Sequence, residues 1–350
     1  MNNTTQINLF TKAILFFKVL YFGVSNVILT GSLEKKWAEQ YIQKLERDFG
    51  AKLNLSVVKR TVVSFGGFIP LASNAFTRLR KRTSNLGERE RLLLYFLCSA
   101  IFDDFTDKKE LSSDDLYQIS FHPEEYQPKR IEEKIFLHAH LKLRAYVKNK
   151  TLYHSVVTEL FQVQKDSANQ FNSFLSENEL KHITFTKGGS STLLCHFYLD
   201  LDASEIEQKC WRQLGVLFQL TDDLLDIYDD LQVGQDTLPI RIKDVQVLTS
   251  FFEEQMGIMK NLIAELPFPY KSKEQMVFSI ASICSVGWIA LHQLSTIQGD
   301  QPEIANIKAV ERKALIVDMA KISNLLFCTK FTYDTSIKWI NDIHFSNGTN

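Results

Sequence analysis

Glycine and proline are scarce, 14 and 7 residues in a chain of 350. So few breakers favour long helices with short connections, and no stretch alternates apolar and polar residues as a half-buried strand does. Cysteine is also sparse. Cys98, Cys195, Cys210, Cys284 and Cys328 are odd in number, widely spaced and never arranged as C-x-x-C. That speaks against a disulfide framework and fits buried, reduced thiols in a cytoplasmic protein. An excess of either charge is missing too, with a net charge of −1, so nothing suggests a nucleic-acid partner. There is no internal repeat and no low-complexity linker. Apolar residues are plentiful: they make up 45% of the chain and include 26 Phe, ample for a sizeable core. Residues 1–350 therefore read as one all-α domain, a helical bundle with a central cavity.

The most informative stretch is Trp211 to Pro239, WRQLGVLFQLTDDLLDIYDDLQVGQDTLP. Gly215, Gln219, Asp222, Asp223 and Asp226 are related by steps of three and four, so they share one stripe of a helix. Most other positions are Leu, Val, Ile or Phe, which belong inside a protein. Carboxylates on a buried helix are costly unless a cation neutralises them. Hard divalent cations suit such a stripe, Mg²⁺ above all, which completes its shell with water and substrate phosphates. The stripe reads as one wall of a diphosphate site. Asp229 and Asp230 prolong the acid run and are expected outside the metal shell, since three acids already fill the stripe.

A second cluster lies in Leu92 to Lys109, LLLYFLCSAIFDDFTDKK. Asp103, Asp104 and Asp107 form D-D-x-x-D after a run that is apolar or small all round and predicts a central helix. Either cluster alone is readable as a solvated helix end; the pair is far more specific.

The pattern G-x-x-x-Q-x-x-D-D-x-x-D followed by T-L-P resembles the second aspartate-rich motif of the trans-isoprenyl diphosphate synthases. Asp103 to Asp107 resembles their first motif, shared with class I terpene synthases. The resemblance covers residues 90–245. It implies an isoprenoid-synthase-like bundle that ionises an allylic prenyl diphosphate. It also implies about three Mg²⁺ held between Asp103, Asp104 and Asp107 on one side and Asp222, Asp223 and Asp226 on the other. In these enzymes a Gln precedes a Lys that contacts the diphosphate; Gln164 and Lys187 match in order and approximate spacing. Gly215 belongs to the second motif. Gln219 would hydrogen-bond the diphosphate or a metal-bound water, and Lys108 and Lys109 would add positive charge. Gly188-Gly189, after Lys187, predicts a break or turn in the helix.

The family's basic motifs for a second substrate, G-G-K-x-x-R-P and Arg-Arg-Gly, are absent. Gly66-Gly67-Phe68-Ile69-Pro70 carries no basic residue, and Lys108-Lys109 replaces the arginines. Lys is the poorer bidentate phosphate ligand. The terpene synthases' N-D-x-x-S-x-x-x-E is missing as well. The expected product is therefore a terpene or a prenyl-transfer product made from one allylic diphosphate. Chain elongation with isopentenyl diphosphate, a catalytically silent partner subunit and a purely structural helical protein are the rivals.

Outside the motifs, Phe10 to Leu29 is apolar but interrupted by Lys12 and Lys18. It reads as a signal anchor, as an interfacial helix giving peripheral membrane association, or as a core or homodimer-interface helix; the charges favour the last. Leu33 to Phe49 is an amphipathic helix ended by Gly50, and Leu53 to Leu79 a helix bent around Gly66-Gly67 and Pro70. Arg78, Arg80, Lys81 and Arg82 form a basic knot, either a solvated helix end or a phosphate contact. Ser112 to Asp115 is a helix cap within a polar stretch that looks like a loop at a cavity mouth. Helices are expected over Arg130 to Val147, Leu152 to Phe171, Ile240 to Leu266, Met276 to Ile297 and Ile304 to Leu326. Ala281 to Leu291, rich in small residues, should pack tightly on a neighbour. The tail, residues 334–350, is expected to be disordered at its tip. The scattered histidines receive no chemical role.

Overall fold

Few breakers do give helix. The computed structural model describes residues 9–172 and 175–346, and among these there is no strand. In chain order the helices are α1 (Leu9–Phe22), α2 (Gly31–Phe49), α3 (Leu55–Phe68), α4 (Asn74–Leu79), α5 (Leu86–Asp107) and α6 (Ser113–Phe121). Then come α7 (Ile131–Tyr146), α8 (Lys150–Ser167), α9 (Glu177–His196), α10 (Glu205–Leu225), α11 (Ile227–Val233) and α12 (Leu238–Arg241). The last are α13 (Val245–Glu265), α14 (Tyr270–Gln298), α15 (Arg312–Leu315) and α16 (Ile322–Ser346). Wider π-helical turns join α1 to α2 (Gly23–Thr30) and α3 to α4 (Ile69–Ser73). The second is the expected bend: Pro70 has no N–H to continue the α-helical ladder. One continuous apolar core runs from α1 to α16.

The helices that carry the acids begin under tight control. α5, α9 and α10 each start with a capping box: Asn85 with Glu88, Ser176 with Glu179, Ser204 with Glu207. Each box satisfies two backbone donors that the helix itself cannot. Glu88 and Glu207 are buried and neutralised by the basic knot. Arg82 holds Glu88 through two bonds of 2.7 Å, and Arg80 reaches Glu207 at 2.7 Å. Half of the knot is therefore a structural clamp and no phosphate contact.

α9 runs unbroken through Gly188-Gly189, contrary to the expected break or turn. The reason lies on α10. A Cβ on Gly188 would stand 2.3 Å from the Gly215 carbonyl oxygen, and one on Gly215 2.0 Å from that of Gly188. The two helices cross backbone against backbone, a separation that only glycine permits. Gly287, in the small-residue stretch of α14, likewise leaves room for Phe252 and Thr221, as expected.

The C-terminal third differs from expectation. Residues 304–321 form no long helix: α14 extends to Gln298, Gly299 turns the chain at positive φ, and an extended strap follows. Its Ile304 is buried and its N–H donates to the Lys243 carbonyl at 3.0 Å, so the apolar pattern serves burial without helical pairing. The last helix is α16, which takes in most of the expected tail; residues 347–350 lie outside the described residues. α6 forms where a loop was expected, capped as foreseen by Ser112.

Three stretches are long and apolar enough to cross a membrane: Lys12–Phe49, Leu55–Leu79 and Tyr270–Gln298. The last two bury 50% and 72% of their apolar windows inside the bundle, the first only 22%. Leu15, Val19 and Phe22 face the core, while Phe17, Tyr21 and Ile28 face outward. The N-terminal helix is thus core on one side only; residues 1–8 lie outside the described residues.

Gly188→Ala and Gly215→Ala should each lower stability by about 2–4 kcal/mol through overpacking. Gly67, in α3 with nothing within 4 Å of its would-be Cβ, is the control: Gly67→Ala should stabilise by about 0.5–1 kcal/mol. Urea unfolding of the three variants checks both.

Candidate active site

Both acid clusters sit at the C-terminal ends of their helices. α5 ends on Asp107, and α10 ends at Leu225 with Asp226 as its cap. There the unpaired carbonyls add partial negative charge to that of the carboxylates. The two ends meet at one cavity of about 300 Å³ between α5, α7, α8, α9 and α10. Asp103, Gln164, Lys187, Gln219 and Asp222 line it together. Below them the wall is aromatic, with Tyr95, Phe102, Phe136, Phe161 and Tyr198. A larger cavity of about 450 Å³ adjoins it and shares Ser120, His140, Tyr153 and Val157, but neither acid cluster lines it. Only the smaller one brings acids of both clusters together.

The acids are electrostatically unsatisfied. Asp222, in the recess, and Asp226 beside it keep side-chain atoms open to solvent, although protein crowds around them, and Asp223 is buried outright. Burial, reinforced by neighbouring carboxylates, pushes Asp222, Asp223 and Asp226 up to about 6. Asp103 is raised as well, again chiefly by burial. Gln219 Nε2 donates to Asp223 Oδ1 at 2.8 Å, and Thr184 Oγ1 donates to Oδ2 at 3.3 Å. These bonds and the charge of Lys187 partly offset the rise. Lys187 lies between the clusters, its charge lowering Asp103 on one side and Asp222 and Asp223 on the other. The Gly188–Gly215 crossing puts it there. Gln164 Nε2 reaches Thr106 Oγ1 at 3.5 Å, which ties α8 to the end of α5.

Not every expected residue joins them. Asp104 is buried away from the cavity, held by an ion pair to Arg60 and by Lys108 Nζ at 2.6 Å. With two cations already on it, Asp104 has no open charge for a metal, and Lys108 is committed to Asp104. Lys109 is exposed on a left-handed turn. Asp107 is exposed and reaches the site through its charge on Asp103. Gly215 is buried in the helix crossing, so its role is spacing and not substrate contact.

One residue was set outside the site and another went unnoticed. Asp230 belongs to the cluster: burial and the charges of Asp223, Asp226 and Asp222 push it up to about 7. The signal was present, since Asp222, Asp226 and Asp230 are four apart, but counting the stripe as already full hid it. The other is Arg60 on α3, paired with Asp104 and 4.0 Å from Asp103. No motif marks it.

Among the described residues no three acidic, imidazole or thiol groups already form a metal cage. The donor chemistry nevertheless fits Mg²⁺. Burial, reinforced by neighbouring carboxylates, holds five pKa values up at and beside this recess, and Mg²⁺ takes one or two carboxylates and fills its shell with phosphate oxygens and water. No protein-family model matches the chain, and no curated protein resembles it.

Carboxylates with raised pKa bind protons more tightly in the folded state. The fold therefore loses stability as pH rises from about 4 to about 7 and these groups are forced to ionise. Asp223→Asn, which keeps the size and one acceptor oxygen, should raise stability at pH 7.5 by about 1–2 kcal/mol, and the gain should vanish near pH 4. Denaturant unfolding at both pH values measures it.

Proposed function

We propose that the chain ionises an allylic prenyl diphosphate with the help of Mg²⁺ and converts it to a terpene or a prenyl-transfer product. The observation that carries this reading is the cavity itself. Carboxylates from two helix ends and a single lysine crowd its mouth, and aromatic rings line its depth. The class is that of the isoprenoid synthases, which the two aspartate motifs resemble.

Mg²⁺ bound with the substrate would neutralise the diphosphate as the allylic carbon–oxygen bond breaks and the electron pair leaves with oxygen. Asp103 and Asp222, with Asp223, Asp226, Asp230 and Asp107 around them, supply the oxygen ligands. Lys187 contributes a fixed positive charge toward the departing diphosphate. Gln219 holds Asp223 in place and presents an amide to the same region. The rings stabilise the allylic cation by cation–π attraction and keep water away. Their hydroxyls are occupied: Tyr95 donates to the Ser191 carbonyl at 2.7 Å, and Tyr153 and Tyr198 share a bond of 3.1 Å. Burial pushes both cavity phenols, Tyr95 and Tyr198, well above their usual range. They do not ionise and so do not trap the cation.

The position of the basic knot favours one substrate over two. Arg78 to Arg82 precede α5, and the acids end it. Along α5 (Leu86–Asp107) the acids stand about 26–32 Å from the helix start that follows the knot. The knot cannot serve as an acceptor site for isopentenyl diphosphate. The work assigned is on a small-molecule diphosphate in the cytoplasm, with no nucleic-acid partner.

Purified protein incubated with geranyl, farnesyl or geranylgeranyl diphosphate should release diphosphate only with Mg²⁺; release that survives chelation would sink the reading. Labelled isopentenyl diphosphate should not enter a longer prenyl chain, as it would in an elongating enzyme. Asp103→Ala, Asp222→Ala and Lys187→Ala should each cut turnover about 100-fold or more; the two aspartate variants should keep their stability, whereas Lys187→Ala removes a charge that offsets the acids and should lose some. Asp104→Ala should instead destabilise by about 1–2 kcal/mol, because it leaves Arg60 unpaired. Turnover and thermal unfolding measured on the same preparations separate the two behaviours.

A further inference from the structure

One face of the molecule, away from the acid cavity, combines two features that point to the same ligand. The first is an apolar stripe. Along α1 and the π-helical turns after it, Phe17, Tyr21, Val24 and Ile28 follow at helical spacing on the outer side, with Phe17 66% and Tyr21 73% exposed. No acidic residue precedes Glu34 in the chain.

The second is a basic cleft of about 920 Å³ between the end of α4 and the start of α14. Arg78, Lys81, Arg82 and Lys271 line it, and no acidic residue does. Arg82 is committed to Glu88, but the other three pair with no acid among the described residues. Lys81 and Lys271 are exposed and make no ion pair among the described residues. Arg78 has only a neutral partner, Asn26, and its Nη1 is buried without any. An unmatched guanidinium beside two free lysines is a site for an anion.

Stripe and cleft are tied together. Asn26, on the inner side of the apolar segment, is the residue that holds Arg78. Lys18 of α1 pairs with Glu274 of α14 at 2.6 Å, which fastens the apolar segment to the helix that carries Lys271. Phe22 lies under Arg78, 6.0 Å from the guanidinium carbon. Apolar side chains flanked by phosphate-binding cations are what a helix lying in an anionic lipid interface presents.

We propose that this face docks on an anionic phospholipid surface. Phe17, Tyr21, Val24 and Ile28 enter the acyl boundary, and Arg78, Lys81 and Lys271 take a phosphate headgroup. This assignment does not depend on what the acid cavity does.

The test is flotation of the full chain with phosphatidylcholine vesicles and with phosphatidylcholine–phosphatidylglycerol vesicles. Binding is expected to the anionic vesicles and should weaken with added salt. Lys81→Glu combined with Lys271→Glu, and separately Phe17→Glu combined with Tyr21→Glu, should each reduce partitioning about tenfold or more. All four side chains are exposed, and thermal unfolding verifies that the variants fold. Absence of binding to anionic vesicles, equal binding to both vesicle types, or indifference to both double variants would overturn the proposal. So would inorganic phosphate or glycerophosphate occupying the cleft, by calorimetry, in a protein that ignores vesicles; the site would then serve a free phosphate. A dimer that Phe17→Glu/Tyr21→Glu converts to monomer, without vesicle binding by either form, would assign the stripe to a second copy of the chain.

Discussion

The contact between Gly188 and Gly215 sets the geometry from which the cavity follows. Two helices normally keep the distance their side chains impose. Here that distance collapses to backbone contact at one level, and the residues on either side of it are brought into a common recess. Lys187 is one residue before the crossing on α9, and Gln219 and Asp222 follow it by one and two turns on α10. A bulkier residue at either glycine would part the helices and move the lysine from the carboxylates it balances.

That balance is incomplete by construction. Lys187 faces Asp103, Asp222 and Asp223 near the negative ends of two helices, with Asp226 and Asp230 beside them, while the neighbouring Asp104 is matched by two cations. A site meant only to be stable would resemble Asp104. The cluster around Asp222 instead keeps charge unmet, at a cost in stability. On the function proposed above, a cation arriving with its counter-anion would relieve it, and folding energy would be given up in favour of ligand affinity.

Residues whose spacing carried meaning were legible in the sequence. Steps of three and four announced Asp222, Asp223 and Asp226, and the tandem D-D-x-x-D announced Asp103. The glycine at Gly50, the bend at Pro70, the cap at Ser112 and the tight packing of Ala281 to Leu291 were equally readable, because each follows from local backbone chemistry. What escaped depended on the far side of a contact. Gly188-Gly189 looks like a helix break until its partner Gly215 is known. Asp104 looks like a ligand until Arg60, 44 positions earlier, is seen on it. The apolar rhythm of Ile304 and Ile307 is the same whether a segment is helical or merely lies along a groove. Asp230 is a different case: its spacing was plain, and only an assumption about how many acids a site needs set it aside.

The capping boxes have an implication for how this chain can vary. A helix locked at its first turn behaves as a ruler, and α10, locked at Ser204 by Glu207 and Arg80, measures out where its acids fall. The same holds for α5 from Asn85. Exchange of one side chain for another leaves such a ruler intact. One residue inserted or removed between Ser204 and Asp222 would rotate everything beyond it by about 100°. It would turn the carboxylates into the apolar core while each remained present in the sequence. In these two segments a change of length would undo what most exchanges of a side chain, Gly215 apart, would leave in place.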